Sequence, residues 1–270
     1  MVQNGLDCKR ISRQLNTCIF GKKIECLDSI DSTNKYILEL ARKGAPEGKA
    51  VAADYQSEGK GRLGREWLSP PGKNLLFSVL LKPQAEIEMV QKITLAAANV
   101  IADAVESFFE NAGLSKPEIE LKWPNDVLIG KRKAAGILIE SILNGKEITA
   151  LAAGFGINVN LDSSEFPDSF RANAVSLKEE AKQEISREDF LAHFLNLFEE
   201  SYTKWERTDY AGVVDTWKAR CSTIGTPVKI RLFDKEIDSQ FEDISERGYL
   251  LYKTPENGIQ ELVSGEVVCY

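Results

Sequence analysis

Three short segments concentrate residues suited to handling anions. The first, Gly59-Lys60-Gly61-Arg62-Leu63-Gly64, fits the pattern G-x-G-x-x-G and runs on into Arg65, Glu66 and Trp67. Glycines let backbone amides approach an anion closely, and Lys60, Arg62, Arg65 and Lys73 supply positive charge. Three phosphate-loop readings compete, and each lacks a part. A dinucleotide fingerprint needs a helix directly after the glycines, whereas Leu68-Ser69-Pro70-Pro71 follows here. A P-loop would end in Gly-Lys-Ser/Thr, but Gly64 is followed by Arg65. A kinase-type loop would come with H-R-D and D-F-G motifs, which the chain lacks. What survives is a flexible, glycine-rich cationic loop, to be weighed against an ordinary solvated loop.

The second segment is Lys122-Trp123-Pro124-Asn125-Asp126. Proline fixes its own φ and biases Trp123 to extended geometry, so the chain leaves a strand rigidly. Lys122, Asn125 and Asp126 are thereby kept close. Lysine binds phosphate as a point charge, and aspartate can orient it or hold a metal. The plain alternative is a strand-end turn with a Lys–Asp pair. The third segment is Lys131-Arg132-Lys133-Ala134-Ala135-Gly136. Lys133 opens a very apolar strand, and Gly136 inside it suggests close approach of a ligand or of backbone. The alternative there is a bulge with surface lysines. Gly154-Phe155-Gly156-Ile157-Asn158 places two more glycines within a strand.

These pieces offer cations, amides and glycine clearances, but no evident nucleophile. The single histidine, His193, sits beside Phe194 and Leu195 in a helical pattern and reads as structural. Charge neutralisation and positioning would then do most of the work. A carboxylate attacking a phosphate of ATP suits such a site, because the attacking oxygen is already ionised and needs no general base.

The positioning elements can be read coarsely. Asp31-Ser32-Thr33 precedes a helix with Ile37, Leu40 and Ala41 on one face and Gly44 as its stop. Val51, Ala53 and Tyr55 alternate like a strand, and Leu75 to Leu81 reads as a buried one. Ile93 to Phe108 follows the helical period, and Ile119 to Trp123 is a strand. Lys133 to Leu143 and Glu147 to Val159 flank Asn144-Gly145, a hairpin signal. Helices are predicted near Arg187 to Arg207, with Phe194, Phe198 and Trp205 in the core, and near Asp209 to Arg220. Beyond Cys221 short β-like pieces recur at 227–232, 241–244, 249–253 and 259–263, with Glu256-Asn257-Gly258 as a turn. The fold class is α+β with a mixed or mainly antiparallel sheet, followed by a small all-β domain.

Composition narrows the function classes. The 270 residues, 43% hydrophobic and 28% charged, carry a net charge of −7, which argues against a dedicated nucleic-acid binder. No apolar stretch is long enough to span a membrane, and the polar start has no signal core. A soluble cytoplasmic protein is the expectation. Cys8, Cys18, Cys26, Cys221 and Cys269 are odd in number with no CxxC spacing. Neither a disulfide framework nor a zinc site is therefore expected.

Asp31-Ser32-Thr33-Asn34, Gln56, the Gly59 to Trp67 loop, Lys122 to Asp126, Lys133 to Leu138 and Gly154 to Asn158 together resemble biotin protein ligase in order and spacing. The resemblance runs from about Leu15 to the C-terminus. It implies a catalytic domain related to class II synthetases over residues 1–222, with 1–14 as an N-terminal extension, and an SH3-like domain over 223–270. It further implies that biotin attacks the α-phosphate of Mg-ATP, giving biotinoyl-5′-AMP and pyrophosphate. A lysine of a biotin carboxyl carrier domain then takes the biotinoyl group.

On that resemblance Ser32, Thr33, Asn34 and Gln56 would hold biotin. The loop with Gly59, Lys60, Gly61, Arg62 and Trp67 would fold over biotin and the adenylate, with Arg62 helping to retain the intermediate. Lys133 would contact the carboxylate and α-phosphate, and Gly136 would leave room for biotin. Lys122, Asn125 and Asp126 would handle phosphates, the incoming lysine and, at Asp126, the metal. Gly154 and Asn158 would complete the site, Asn158 at the adenosine end. The C-terminal domain is expected to close over ATP or the carrier, and homodimerisation is an expectation from the resemblance alone. Lys60 stands where many relatives have arginine, and Ala174 where some have an aromatic near adenine. The short stretch ahead of the first match and the acidic charge argue against DNA binding. Two other functions compete: ligation of lipoate or octanoate, and non-catalytic sensing of biotinoyl-AMP.

Overall fold

A computed structural model describes residues 5–232, 235–255 and 257–269. In chain order the first part forms α1 (Cys8–Arg13), β1 (Glu25–Leu27), α2 (Thr33–Arg42), β2 (Ala50–Ala53), β3 (Leu75–Leu81), α3 (Met89–Asn111), β4 (Ile119–Lys122) and β5 (Asp126–Ile129). There follow β6 (Arg132–Asn144), β7 (Glu147–Ile157), α4 (Asp168–Arg171), α5 (Leu177–Ala181), α6 (Arg187–Arg207) and α7 (Val213–Lys218). The C-terminal part comprises β8 (Pro227–Leu232), β9 (Lys235–Ile244), β10 (Leu250–Thr254), β11 (Gly258–Leu262) and β12 (Glu266–Cys269).

Strands β1 to β7 make one sheet in the order β1-β2-β3-β7-β6-β5-β4. Only the β1–β2 pair is parallel. Successive side chains of a strand point to opposite faces, and here both faces of the central strands are covered. Leu75, Phe77, Val79 and Leu81 of β3 join Ala153, Phe155 and Ile157 of β7 in the core beneath α3 and α6. Leu80, Val51, Ala150 and Ala152 pack on the other face, under Ile37 and Leu38 of α2. Complete burial of β2 replaces the expected alternation. Phe194, Phe198 and Trp205 of α6 are core residues, with Phe77, Phe155 and Phe194 in mutual ring contact. Among the described residues no helix is long and apolar enough to cross a membrane.

The predicted hairpin is β6–β7, with Asn144 paired to Glu147 and Gly145 at φ 63°. The C-terminal part is a separate five-stranded antiparallel sheet in the order β11-β10-β9-β8-β12. Of the predicted turn there, Glu256 lies outside the described residues. Strand β12 escapes the sequence reading, as do α1, β1 and β5.

One expectation at the N-terminus needs correction, and one helix there was not predicted. Residues 8–13 are helical: Asp7 caps α1, Ile11 is fully buried in the main core, and Arg10 and Gln14 bond Asp189 of α6. Cys8 and Cys26 form a disulfide, with Cα atoms 5.8 Å apart. The absence of a motif spacing misled here, because the pair joins a helix to a strand and only the fold brings them together. His193 is half-buried on α6, beside the Phe108 ring and 2.8 Å from Ser107 Oγ. Burial lowers its pKa.

Candidate active site

Strand register builds the floor of the site. Gly156 of β7 lies between Leu76 of β3 and Gly136 of β6, and Gly136 in turn faces Asp126 of β5. One step along, Gly154 lies between Ser78 and Leu138. All of these point to the face opposite α3 and α6. The missing side chains leave a trough in the sheet, and Trp67 lies in it. A Cβ at Gly156 would come within 2.5 Å of the Trp67 ring, and one at Gly136 within 3.0 Å. The clearance at Gly136 is thus taken up by Trp67 and the Lys133 stem in this structure. A Cβ at Gly154 would land on the Asn34 side chain.

Above this floor is a cavity of about 760 Å³. It is lined by Ser32, Thr33, Asn34, Gln56, Lys60, Gly61, Arg62, Trp67, Lys122, Asn125, Asp126, Lys133, Gly136, Gly154 and Asn158. Gly59 alone of the expected residues stands outside the lining. It closes the base of the glycine-rich loop instead: Trp67 N–H donates to its carbonyl at 2.9 Å, and a Cβ there would strike the Trp67 carbonyl at 2.7 Å. The loop itself is a small hairpin, with Lys60 paired to Glu66 and Gly61 N–H donating to Arg65 O at 2.7 Å. Leu63 and Gly64 turn its tip at positive φ.

At one end of the cavity Ser32 caps α2. Thr33 donates to Gln56 Oε1 from its backbone N–H at 2.7 Å and from its hydroxyl at 3.0 Å. Ser78 Oγ, fully buried, lies 2.7 Å from both Thr33 Oγ1 and Asn34 Oδ1. Asn34 Nδ2 donates to Leu138 O and Glu140 Oε2. A buried polar set so fully paired is rigid and prearranged.

At the other end Lys133 Nζ lies 2.7 Å from Asp126 Oδ1 and 5.3 Å from the Trp67 ring centroid. A β-bulge decides that orientation. Val127 pairs with Ala135 but Leu128 pairs with Lys133, so Ala134 is the extra residue. The bulge re-aims the side chains preceding it, turning Lys133 to the Gly136 side. Bulge and close approach, read as alternatives, are therefore both present. Arg62 is half-buried; burial lowers its pKa, against Asp126 and Glu266, which raise it. Arg65 makes a two-pronged ion pair with Glu266 of β12, so the C-terminal sheet holds the loop. Six cationic side chains and three carboxylates line the cavity, a balance suited to anionic reactants.

Three framework residues, Asn74, Asp54 and Arg187, escape a reading of the sequence. Asn158 Nδ2 donates to Lys133 O at 3.2 Å, and its Oδ1 accepts from Asn74 Nδ2 at 3.3 Å. Arg187 of α6 donates to Asp54 Oδ1 at 2.7 Å and to Asn74 O at 3.2 Å. Asn125 Nδ2 donates to Ile137 O at 2.7 Å. The asparagines therefore brace the strands that carry Lys133 and Gly136. Ala174 is buried against Leu161 and Phe166, whereas Phe170 on α4 is 53% exposed on the cavity rim. Among the described residues no group of three or more His, Cys, Asp or Glu is placed to hold a metal ion.

Comparison with known proteins accords with this geometry. Residues 26–158 match the Biotin/lipoate A/B protein ligase family, and residues 223–270 match the Biotin protein ligase C terminal domain. The Bifunctional ligase/repressor BirA of Bacillus subtilis (strain 168) is 32% identical over 253 residues, which are 94% of this chain and 76% of that protein. The Biotin--[acetyl-CoA-carboxylase] ligase of Paracoccus denitrificans is 31% identical over 246 residues, 88% of this chain and 96% of that one. The biotin protein ligase from Aquifex aeolicus, solved in complex with biotin and ATP, superposes with a TM-score of 0.73 at 31% identity, covering 90% of this chain and 96% of that one. With two family models matched along its length and relatives this similar over most of theirs, the chain belongs to the biotin protein ligase family.

Proposed function

We propose that this chain joins biotin to a lysine of a biotin carboxyl carrier domain, by way of biotinoyl-5′-AMP. The observation that carries this reading is the placement of one cationic end and one neutral, hydrogen-bonding end in a single cavity. Thr33, Gln56 and Ser32 suit the ureido ring of biotin, which needs polar partners on both sides. The biotin carboxylate then reaches toward Lys133. Lys133 and Arg62 neutralise the meeting of carboxylate and α-phosphate, where two anions would otherwise repel. A carboxylate oxygen forms a bond to the α-phosphorus as the bond to the bridging oxygen breaks, and pyrophosphate leaves. The carrier lysine, as its free amine, next attacks the biotinoyl carbonyl, and AMP departs.

Magnesium enters with ATP. Such a metal is held chiefly by substrate phosphates with one or two carboxylates, and Asp126 is the carboxylate beside Lys133. That donor set fits a metal shared with ATP, not a resident one. Phe170 rather than position 174 offers an aromatic face for adenine at the rim. We place the catalytic unit in residues 1–222 and the second domain in 223–270, in a cytoplasmic enzyme that uses neither DNA nor membrane and is competent to form a homodimer.

The match of the C-terminal part to the biotin protein ligase C terminal domain favours biotin over lipoate. Incubation with MgATP, a carrier domain and equimolar biotin and lipoate, followed by mass spectrometry of the carrier lysine, tests the assignment. Biotinylation alone is expected. A lipoyl adduct, or an unmodified carrier, would overturn it.

A further inference from the structure

Trp123 is 1% exposed and lies between the cavity residues Lys122 and Asn125. A buried indole N–H needs a partner, and this one finds it outside the catalytic sheet. Trp123 Nε1 donates to Gly248 O at 3.0 Å, 125 residues away in the β9–β10 turn of the C-terminal domain. The turn is closed by Ser245 N–H to Tyr249 O at 2.9 Å and by Gly248 N–H to Ser245 O at 2.8 Å. Gly248 has φ +84°, and a Cβ there would come within 3.1 Å of Leu95 and 3.2 Å of the Lys92 nitrogen on α3. Both its conformation and its proximity to α3 thus call for glycine.

The next residue is held by α3, where Gln91 Nε2 donates to Pro124 O at 3.1 Å. Beyond this clamp Asn125 exchanges hydrogen bonds with Ile137. Asp126 then reaches Lys133. The biotin-end cluster of Thr33, Gln56 and Ser78 rests on α2, β3 and the segment after β2, and among the described residues it makes no hydrogen bond with this turn.

We propose that Trp123 and Gly248 are positioning residues for adenylation. The C-terminal domain holds Asn125 and Asp126, and through Asp126 the Lys133 ammonium, by this buried indole–carbonyl hydrogen bond. The proposal rests on the adenylation reading above. It requires that loss of the bond slow the chemical step while biotin binding persists, because Thr33 and Gln56 are bonded to each other and to Ser78 rather than to the clamp.

The test uses the full chain with Trp123→Phe, which keeps a ring but removes the donor, and Gly248→Ala, which displaces the acceptor. Tyr249→Phe is the control: the Tyr249 hydroxyl bonds Glu88 O at 3.3 Å, so it joins the same two domains without touching the 122–126 segment. Thermal melts establish folding. Biotin-dependent pyrophosphate release gives kcat, and calorimetry without ATP gives biotin affinity. Trp123→Phe and Gly248→Ala should lower kcat about ten-fold with biotin affinity within about two-fold of wild type, since small misplacements of reacting groups cost rate steeply. Tyr249→Phe should turn over normally. Unchanged kcat in Trp123→Phe, an equal loss in Tyr249→Phe, or a joint fall in biotin affinity overturns the proposal. Should Trp123→Phe fail to fold, Gly248→Ala decides alone. Wild-type protein without biotin-dependent release would overturn the adenylation reading and this inference together. Release by wild type with unaffected variants overturns the inference alone.

Discussion

Lys133 Nζ sits 2.7 Å from Asp126 Oδ1, so the cation that faces the cavity is already oriented. The pair is partly buried and lies on neighbouring strands at the cavity wall, outside the apolar core, so its loss should leave the fold intact. Lys133→Ala is expected to reduce adenylate formation about a hundred-fold or more, the scale of losing one charge-stabilising donor. Its melting temperature should stay within a few degrees of wild type, as for other surface truncations. Normal turnover in folded Lys133→Ala would remove this residue from the reaction centre.

Glu266 ties the glycine-rich loop to the C-terminal sheet through Arg65, with Arg231 also nearby. Ion pairs with exposed partners contribute only about 0.2–1 kcal/mol, so Glu266→Gln should melt close to wild type. The loop should nevertheless open more often. Trypsin is expected to cut after Arg62 or Arg65 faster in Glu266→Gln than in wild type. Equal cleavage rates would show that the ion pair does not restrain the loop.

Several elements were legible in the residues themselves. Leu75 to Leu81 is one apolar run between turn signals, and the predicted bounds of α6 match its helix. Ser32, within the Asp31-Ser32-Thr33 segment ahead of the predicted helix, caps α2. The cationic segments were also legible, since Arg62, Lys122 and Lys133 do share one cavity. Their surroundings were not. Gly136 and Gly156 are visible as glycines in strands, but their pairing across β6 and β7 is a matter of long-range register. Ser78 looked like part of an apolar run, and only the approach of α2 reveals its hydroxyl at Thr33 and Asn34. Glu266 and Gly248 act from a second domain, and Asp54 meets Arg187 across 133 residues. Helix α1 has six residues and no periodic signal long enough to read.

The Cys8–Cys26 bond can be counted chemically. Denatured, unreduced protein should titrate two fewer thiols than the reduced protein. With the cysteines 18 positions apart in sequence, the closed loop should contribute about 2–4 kcal/mol. Cys8→Ser should therefore unfold at a lower denaturant concentration than wild type under oxidising conditions, and the difference should vanish in reductant. Equal thiol counts before and after reduction would contradict the pairing.

His193 gives a stability signature below neutral pH. Burial lowers its folded pKa beneath the ordinary 6.5, so the unfolded chain binds the proton more readily. Stability should then fall as pH drops from about 6.5 toward the folded pKa, and no further on this account below it. Because the chain has one histidine, His193→Gln should flatten that part of the pH profile measured by denaturant unfolding. An unchanged slope would assign the dependence to other groups.

Release of pyrophosphate from MgATP, measured with no carrier present, bears most directly on the assigned reaction. Release that requires biotin, and that lipoate and octanoate do not drive, is the expected result. Release driven by lipoate, or none from folded protein that still binds biotin, would contradict it.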